Sequence, residues 1–213
     1  MNVGIRIKLD EVRPAVARML AALNPEGRRT LHKKIGHRLQ NLIRDHLLDY
    51  AQGHHKTAEK LGAQPTGFWS TAVESVSMPS ALQTDEQSAR LELASPGMAR
   101  AFGPVDILPN GHPFLTLPVA PEAYGNRIGT KDNPRFPGGF FFQGKSGGLL
   151  YGIKRGEEIY PLYLLVASVH QEQDRTILPS DEDIVNASIE VTADYFQKQA
   201  EGHTDLIKGR EAA

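Results

Sequence analysis

Residues 149–169 read LLYGIKRGEEIYPLYLLVASV. Leu149–Ile153 and Ile159–Val169 are apolar, and the five residues between them, Lys154-Arg155-Gly156-Glu157-Glu158, are charged around a glycine. Two strand-length apolar runs bounded by a turn signal predict an antiparallel pair. Downstream, Ser180 with Asp183 three residues later predicts a capped helix. Ile184, Ala187, Ser188, Val191, Tyr195 and Gln199 trace its inner face. Upstream, Phe114–Val119 reads as a strand, and Pro118 near its end argues for an edge or a terminus. Asn110-Gly111 is the strongest turn dipeptide. Ser88–Ala94 alternates like a strand, while Met98–Phe102 stays ambiguous. Phe68–Val76 fits a helix, although Val73–Met78 could equally begin a strand.

Residues 120–148 are the least regular part, rich in glycine and proline. Phe140-Phe141-Phe142 lies inside it. Side chains alternate along a strand, so three consecutive aromatics cannot share one core, and at least one is expected at a surface or an interface.

The N-terminal part is helical. Val3, Ile5, Ile7 and Leu9 alternate as in a strand, and Asp10 can cap a short helix with Val12, Val16, Met19 and Leu20 on one face. Asn24-Pro25 then restarts the chain, with Asn as N-cap and Pro in the first helical position. Leu31, Ile35, Leu39, Leu42, Ile43, Leu47 and Tyr50 repeat at three and four residues and predict one apolar stripe on a helix from about Pro25 to about Gln52. Gly36 interrupts this helix and leaves room for another backbone to approach. Residues 54–66 read as a helical turn and a loop. The expected class is α+β: an antiparallel sheet with a long N-terminal amphipathic helix and a C-terminal helix packed on one face. The length fits a single domain over 1–213, made of a basic helical part (1–62), the sheet and last helix (63–200) and a polar tail (201–213).

There is no cysteine, which excludes disulfides, cysteine-based zinc sites and thiol nucleophiles. The first residues carry Arg6, Lys8, Asp10 and Glu11 and do not resemble a signal peptide. The longest apolar stretch, Tyr160–Val169, is strand-sized, so a soluble protein made in the cytosol with no membrane partner is expected. Charge is uneven. Residues 1–62 hold 12 Lys/Arg against 6 Asp/Glu, a net of +6, and residues 63–213 hold 12 against 19, a net of −7. The split fits a basic face meeting acidic surfaces, for instance those of a neighbouring copy. It fits equally a long solvated basic helix.

The chemistry-bearing candidates are sparse. His46, His54 and His55, with Glu59 four residues after His55, could hold a metal for a hydrolase, but no HExxH spacing is present. His112 and His170 lie in or beside strands with no acid at a familiar spacing. Ser70, Ser75, Ser77 and Ser80 lack a G-x-S-x-G elbow. Gly138-Gly139 and Gly144-x-x-Gly147-Gly148 lack a phosphate-loop pattern and read as a flexible loop. Arg28, Arg29, Lys33, Lys34 and Arg38 could meet DNA phosphates, but no groove-reading motif accompanies them.

Three segments carry a resemblance, in this order: RRTLHKKIGHRLQNLIRDHL (28–47) before a polar loop and Trp69, FLTLPVAPEAYGNR (114–127), and YPLYLLVASVHQEQDRTILPSDEDI (160–184). Their order and spacing resemble the tail-completion, or virion morphogenesis, family of long-tailed phages. Residues 53–66 depart from its pattern, with HHKTAEKLGAQ in place of a short polar loop. The resemblance implies a structural protein with no catalytic residues, metal or cofactor. It implies a ring of identical subunits, six in number, at the head–tail junction of a virion made in the host cytoplasm. Its partners would be itself and neck, connector or tail-tube proteins, with packaged DNA passing nearby without sequence-specific contact. On this reading the basic residues Arg28, Arg29, Lys33, Lys34 and Arg38 would lie against acids such as Glu157, Glu158, Asp181 or Glu182 of a neighbour. Phe140, Phe141, Phe142 and the loop 123–148 would contact adjacent subunits. A metal-dependent hydrolase and a general protein-binding adaptor are the alternatives.

Overall fold

A computed structural model describes residues 12–53, 56–129 and 135–202. The predicted strand at Val3–Leu9, the Asp10 cap, His54, His55 and residues 203–213 lie outside the described residues. The architecture is α+β. Helices α1 (Val12–Ala21), α2 (Pro25–Gly53), α3 (Lys56–Leu61) and α4 (Phe68–Ser77) precede strands β1 (Leu82–Thr84), β2 (Ala89–Leu91), β3 (Val105–Ile107), β4 (Leu115–Pro118), β5 (Phe140–Gln143), β6 (Leu149–Arg155), β7 (Glu158–Val166) and β8 (Val169–Gln171), and helix α5 (Asp181–Ala200) follows. Among the described residues, pairing is antiparallel throughout and spread over three sheets, β1-β2, β3-β8 and β4-β7-β6-β5, where one sheet is expected from the sequence.

The chain divides into two compact units. The first comprises Met1–Arg44, Val76–Leu93 and Pro179–Ala213, and the second Asp45–Ser75 and Ala94–Leu178. Helix α2 contributes its first part to one unit and its last turns to the other.

In the first unit, α2 starts as its sequence dictates. The Asn24 side chain accepts the Gly27 N–H at 2.7 Å, the N-cap bond that relieves an unpaired donor of the first turn. Ala22, Leu31 and Tyr195 form a buried cluster with Ile35 and Phe196 packed against it. The Tyr195 hydroxyl donates to the Gly27 carbonyl at 3.2 Å and ties α5 to the start of α2. At Gly36 the visitor is a side chain and not the backbone expected: an added Cβ would stand 2.6 Å from Leu82 Cδ1 of the β1–β2 hairpin. The capping box of α5 forms, with Ser180 Oγ accepting the Asp183 N–H at 3.1 Å and Asp183 reaching back to the Ser180 N–H at 3.3 Å. The other end of α5 is closed by Arg18. Its guanidinium donates to the Gln199 and Ala200 carbonyls of the last turn, where Gln199 also accepts the Gly202 N–H at 3.1 Å.

Helix α1 corrects one expectation. Val12, Val16 and Leu20 do not face the core with Met19; all three are exposed. The inward positions are Ala15, Met19 and Ala22, spaced four and three apart. The segment carries two apolar stripes, and the small Ala side chains let α1 approach α5 closely.

In the second unit, the hairpin read from residues 149–169 is the centre. β6 and β7 pair from Leu149↔Leu165 to Arg155↔Glu158 around the two-residue turn Gly156-Glu157. Gly156 has φ +67°, and no described non-glycine residue has positive φ, so glycine occupies the first turn position, as a type II′ hairpin requires. β7 ends at Val166 and β8 resumes at Val169 to pair with β3, so the run read as one strand serves two sheets. β4 and β5 are the edges of the four-stranded sheet. Pro118 sits at the end of β4, where its missing donor costs little. The loop reading of 120–148 fails at Phe140–Gln143, which forms β5, and Gly144–Gly148 is a closed turn with the Gly144 N–H donating to the Gly148 carbonyl at 2.8 Å. Leu162 and Tyr163 are fully buried with Ala120, Ala123, Tyr151 and Leu165. Phe68–Ser77 is helical, and Trp69 meets Tyr50 edge-on at 4.7 Å between ring centroids.

Two substitutions test this core. A Cβ on Gly152, at the register shift between β6 and β7, would lie 2.3 Å from the Tyr160 carbonyl oxygen. Because the obstacle is backbone, Gly152→Ala is expected to lower unfolding stability in urea by about 1–3 kcal/mol. The buried Tyr163 hydroxyl has no hydrogen-bond partner among the described residues. Tyr163→Phe is expected to leave stability unchanged or raise it by about 1 kcal/mol, since an unpaired polar group is removed.

Candidate self-association surface

The basic residues predicted as an interface lie on the first part of α2. Arg28 and Arg38 have acidic partners in their own chain. Arg28 donates to the carbonyls of Leu23 at 3.1 Å and Glu86 at 3.3 Å, with the Glu86 carboxylate 3.8 Å away. Arg38 meets Glu190 of α5 at 3.3 Å. Exposed pairs like these contribute about 0–1 kcal/mol, so they bias orientation more than stability. Arg29 and Lys33 are exposed and Lys34 is half-buried. Asp181 and Glu182 stand exposed in the first turn of α5, where negative charge offsets the positive end of the helix dipole. Glu157 occupies the β6–β7 turn and Glu158 opens β7, both exposed and both in the second unit. The acids that meet α2, Glu86 and Glu190, were not singled out in the sequence, because nothing local marks a residue 58 or 152 positions away as a partner.

Phe140, Phe141 and Phe142 alternate as strand geometry demands. Phe140 and Phe142 are half-buried, 5.6 Å apart between ring centroids, and Phe141 is exposed against the edge of Tyr151 at 5.1 Å. Phe141 is thus the aromatic at the surface on an edge strand.

In the first unit, two helix faces are apolar and exposed. On α1 and just beyond it, Val12 is 71 % exposed and Leu20 64 %, with Val16 and Leu23 in line. On α5, Val185 is 53 % exposed and Ile189 61 %. Ile184, Ser188, Thr192 and Ala193 join these two to line an open, mostly apolar depression. Each stripe follows the four-residue helical repeat, so each is a continuous face and not scattered exposure.

A polar cluster in the second unit gathers His46, Tyr50, Arg100, Asp174 and Thr176. Tyr50 donates to Asp174 at 2.8 Å, Thr176 Oγ1 donates to Asp174 at 2.6 Å, and Arg100 lies 3.9 Å from the same carboxylate. Burial, then the hydrogen bond to Asp174, pushes the Tyr50 phenol up to about 12, so it stays a donor and not a nucleophile at neutral pH. The Thr176 hydroxyl bond leads the causes that hold Asp174 below its ordinary value. His46 Nε2 sits 2.8 Å from the Thr176 carbonyl. That contact commits the nitrogen to donation and away from a metal. The arrangement pins the end of α2 to residues 174–176. His170 is exposed on β8, with Nδ1 2.7 Å from Asp106, a bond that raises its pKa above the ordinary 6.5. His112 is exposed between β3 and β4. Among the described residues no group of three His, Asp or Glu could hold a metal ion.

The Asp174 shift sets a pH dependence. Its folded pKa is depressed, so its contribution is present above the unfolded value of 3.8 and is lost as pH falls through the lower folded value. Asp174→Asn is expected to cost about 1–3 kcal/mol in urea unfolding at neutral pH, and the difference from the parent should shrink below about pH 4. Compared with known proteins, the chain finds no match: no family model, no curated protein and no solved structure corresponds to it.

Proposed function

We propose that this chain is a structural protein of a long-tailed phage or prophage virion, assembling as a ring at the head–tail interface that completes the tail or joins it to the head. The observation that carries the self-assembly is the pair of apolar helix faces in the first unit, centred on Val16 and on Val185/Ile189, both open to solvent. Two continuous apolar faces on a chain of this size favour protein association over an isolated monomer. The place at the head–tail junction rests on the resemblance of residues 28–47, 114–127 and 160–184 to the tail-completion family. The α+β architecture and the charge split of +6 against −7 agree with that reading. A ring requires heterologous contacts, in which one patch of a subunit meets a different patch of the next, and opposite charges on different parts of one chain serve that purpose. On this reading the protein acts without catalytic residues, metal or cofactor.

Light scattering across protein concentration, at low and moderate salt, tests the assembly. A hexamer-sized species that salt weakens is expected; a monomer at every concentration counts against the ring. Simultaneous reversal of Arg28, Arg29 and Lys33 to Glu is expected to shift assembly to higher protein concentration at low salt, and an unchanged oligomer size would remove these residues from the interface.

A further inference from the structure

We infer that Asn110 is a self-modification site: the Gly111 backbone nitrogen attacks its side-chain amide, and the residue is converted to a carboxylate ahead of every other described asparagine. The inference is independent of the assembly reading above.

Asn110-Gly111 is the strongest turn dipeptide of the sequence, and such a pair ordinarily closes a hairpin. Here it does not. β3 pairs with β8 and β4 pairs with β7, so the strands on either side of the dipeptide belong to different sheets and no ladder clamps the turn. Asn110, Gly111 and His112 are all exposed. Neither the Asn110 side chain nor the Gly111 N–H has a hydrogen-bond partner among the described residues. Pro109 and Pro113 flank the segment and have no N–H to add. Gly111 has φ +71°, and the space where its Cβ would stand is open.

Those conditions suit one reaction. The Gly111 nitrogen loses its proton to hydroxide and attacks Cγ of Asn110. A ring C–N bond forms, the bond from Cγ to the side-chain nitrogen breaks, and ammonia leaves. Water then opens the resulting succinimide at either carbonyl, giving aspartate or isoaspartate. Water enters, ammonia departs, and no oxidant or reductant is needed. Glycine matters because a Cβ on the attacking residue would crowd the approach.

The other asparagines lack this combination. No other asparagine in the sequence is followed by glycine. Asn24 is held at the start of α2 by the Gly27 N–H at 2.7 Å. Asn41 and Asn186 lie within α2 and α5, where the following N–H belongs to a helix. Asn126 is in a loop, but its Nδ2 donates to the carbonyls of Glu122 at 3.0 Å and Tyr124 at 3.3 Å.

The product makes a chain of formal net charge −1 one unit more negative. Because the dipeptide holds nothing in place, the conversion leaves the urea unfolding midpoint unchanged.

The test incubates the full chain at mildly alkaline pH, at mildly acidic pH and in concentrated urea. The tryptic peptide 101–127 carries Asn110 and Asn126 together, so fragment masses compare the two sites directly. Conversion at Asn110 is expected to exceed that at Asn126 severalfold, to run faster at the alkaline pH and to proceed in the folded chain nearly as fast as in urea. Isoaspartyl methyltransferase is expected to label the aged protein. Asn110→Gln should abolish the label at this site, and Gly111→Ala should slow conversion severalfold. An intact Asn110, equal conversion at Asn126, an undiminished rate in Gly111→Ala, or a folded-state rate far below that in urea would each overturn the inference.

Discussion

A helix of 29 residues must hide one apolar stripe along its whole length, and α2 imposes that demand on everything around it. Leu31 and Ile35 are covered by Ala22, Tyr195 and Phe196. Leu47 is fully buried and Tyr50 packs on Trp69. Each fully buried side chain of this size is worth about 1.5–3 kcal/mol, so the stripe outweighs the exposed ion pairs on the same helix. The first unit covers its share of α2 with residues from Val76–Leu93 and Pro179–Ala213, whereas the second is centred on the β6–β7 hairpin and holds the last turns of α2 through Trp69 and residues 174–176.

The second constraint is that helices and edge strands expose what they do not bury. α1 is too short and too alanine-rich to give α5 more than one narrow contact, and its larger residues, Val12, Val16 and Leu20, are left outside. The four-stranded sheet has two edges, and its β5 edge carries Phe141 outward. The polar groups are arranged differently. Arg18, Asn24, Ser180 and Asp183 spend their hydrogen bonds on helix ends, and Asp174 accepts from the neighbouring Thr176 and from Tyr50 of α2. The polar chemistry of the described chain goes largely into holding elements in place, and the apolar surplus is where association is available.

Much of this was legible in the residues. The β6–β7 hairpin, the Asn24 and Ser180 caps, the stripe of α2 and the outward turn of one of three phenylalanines all follow from local rules: helical and strand periods, capping chemistry and the left-handed preference of glycine. The errors came where the pattern admits two answers. VRPAVARMLA has an apolar stripe on either side, and periodicity cannot say which one turns inward. Residues 140–143 are short and surrounded by glycine, so they read as loop until β6 supplies the pairing.

The sequence by itself therefore determined the start and buried stripe of α2, the capped start of α5 and the β6–β7 hairpin, because those depend on neighbours within a few residues. Tertiary structure decided the rest. It chose the alanine face of α1 over the valine face, since only small side chains allow close approach to α5. It divided the antiparallel pairing among three sheets, since β7 and β8 part after Val166. It matched Arg28 with Glu86, Arg38 with Glu190 and Tyr50 with Asp174, partners that only a folded chain can bring within reach.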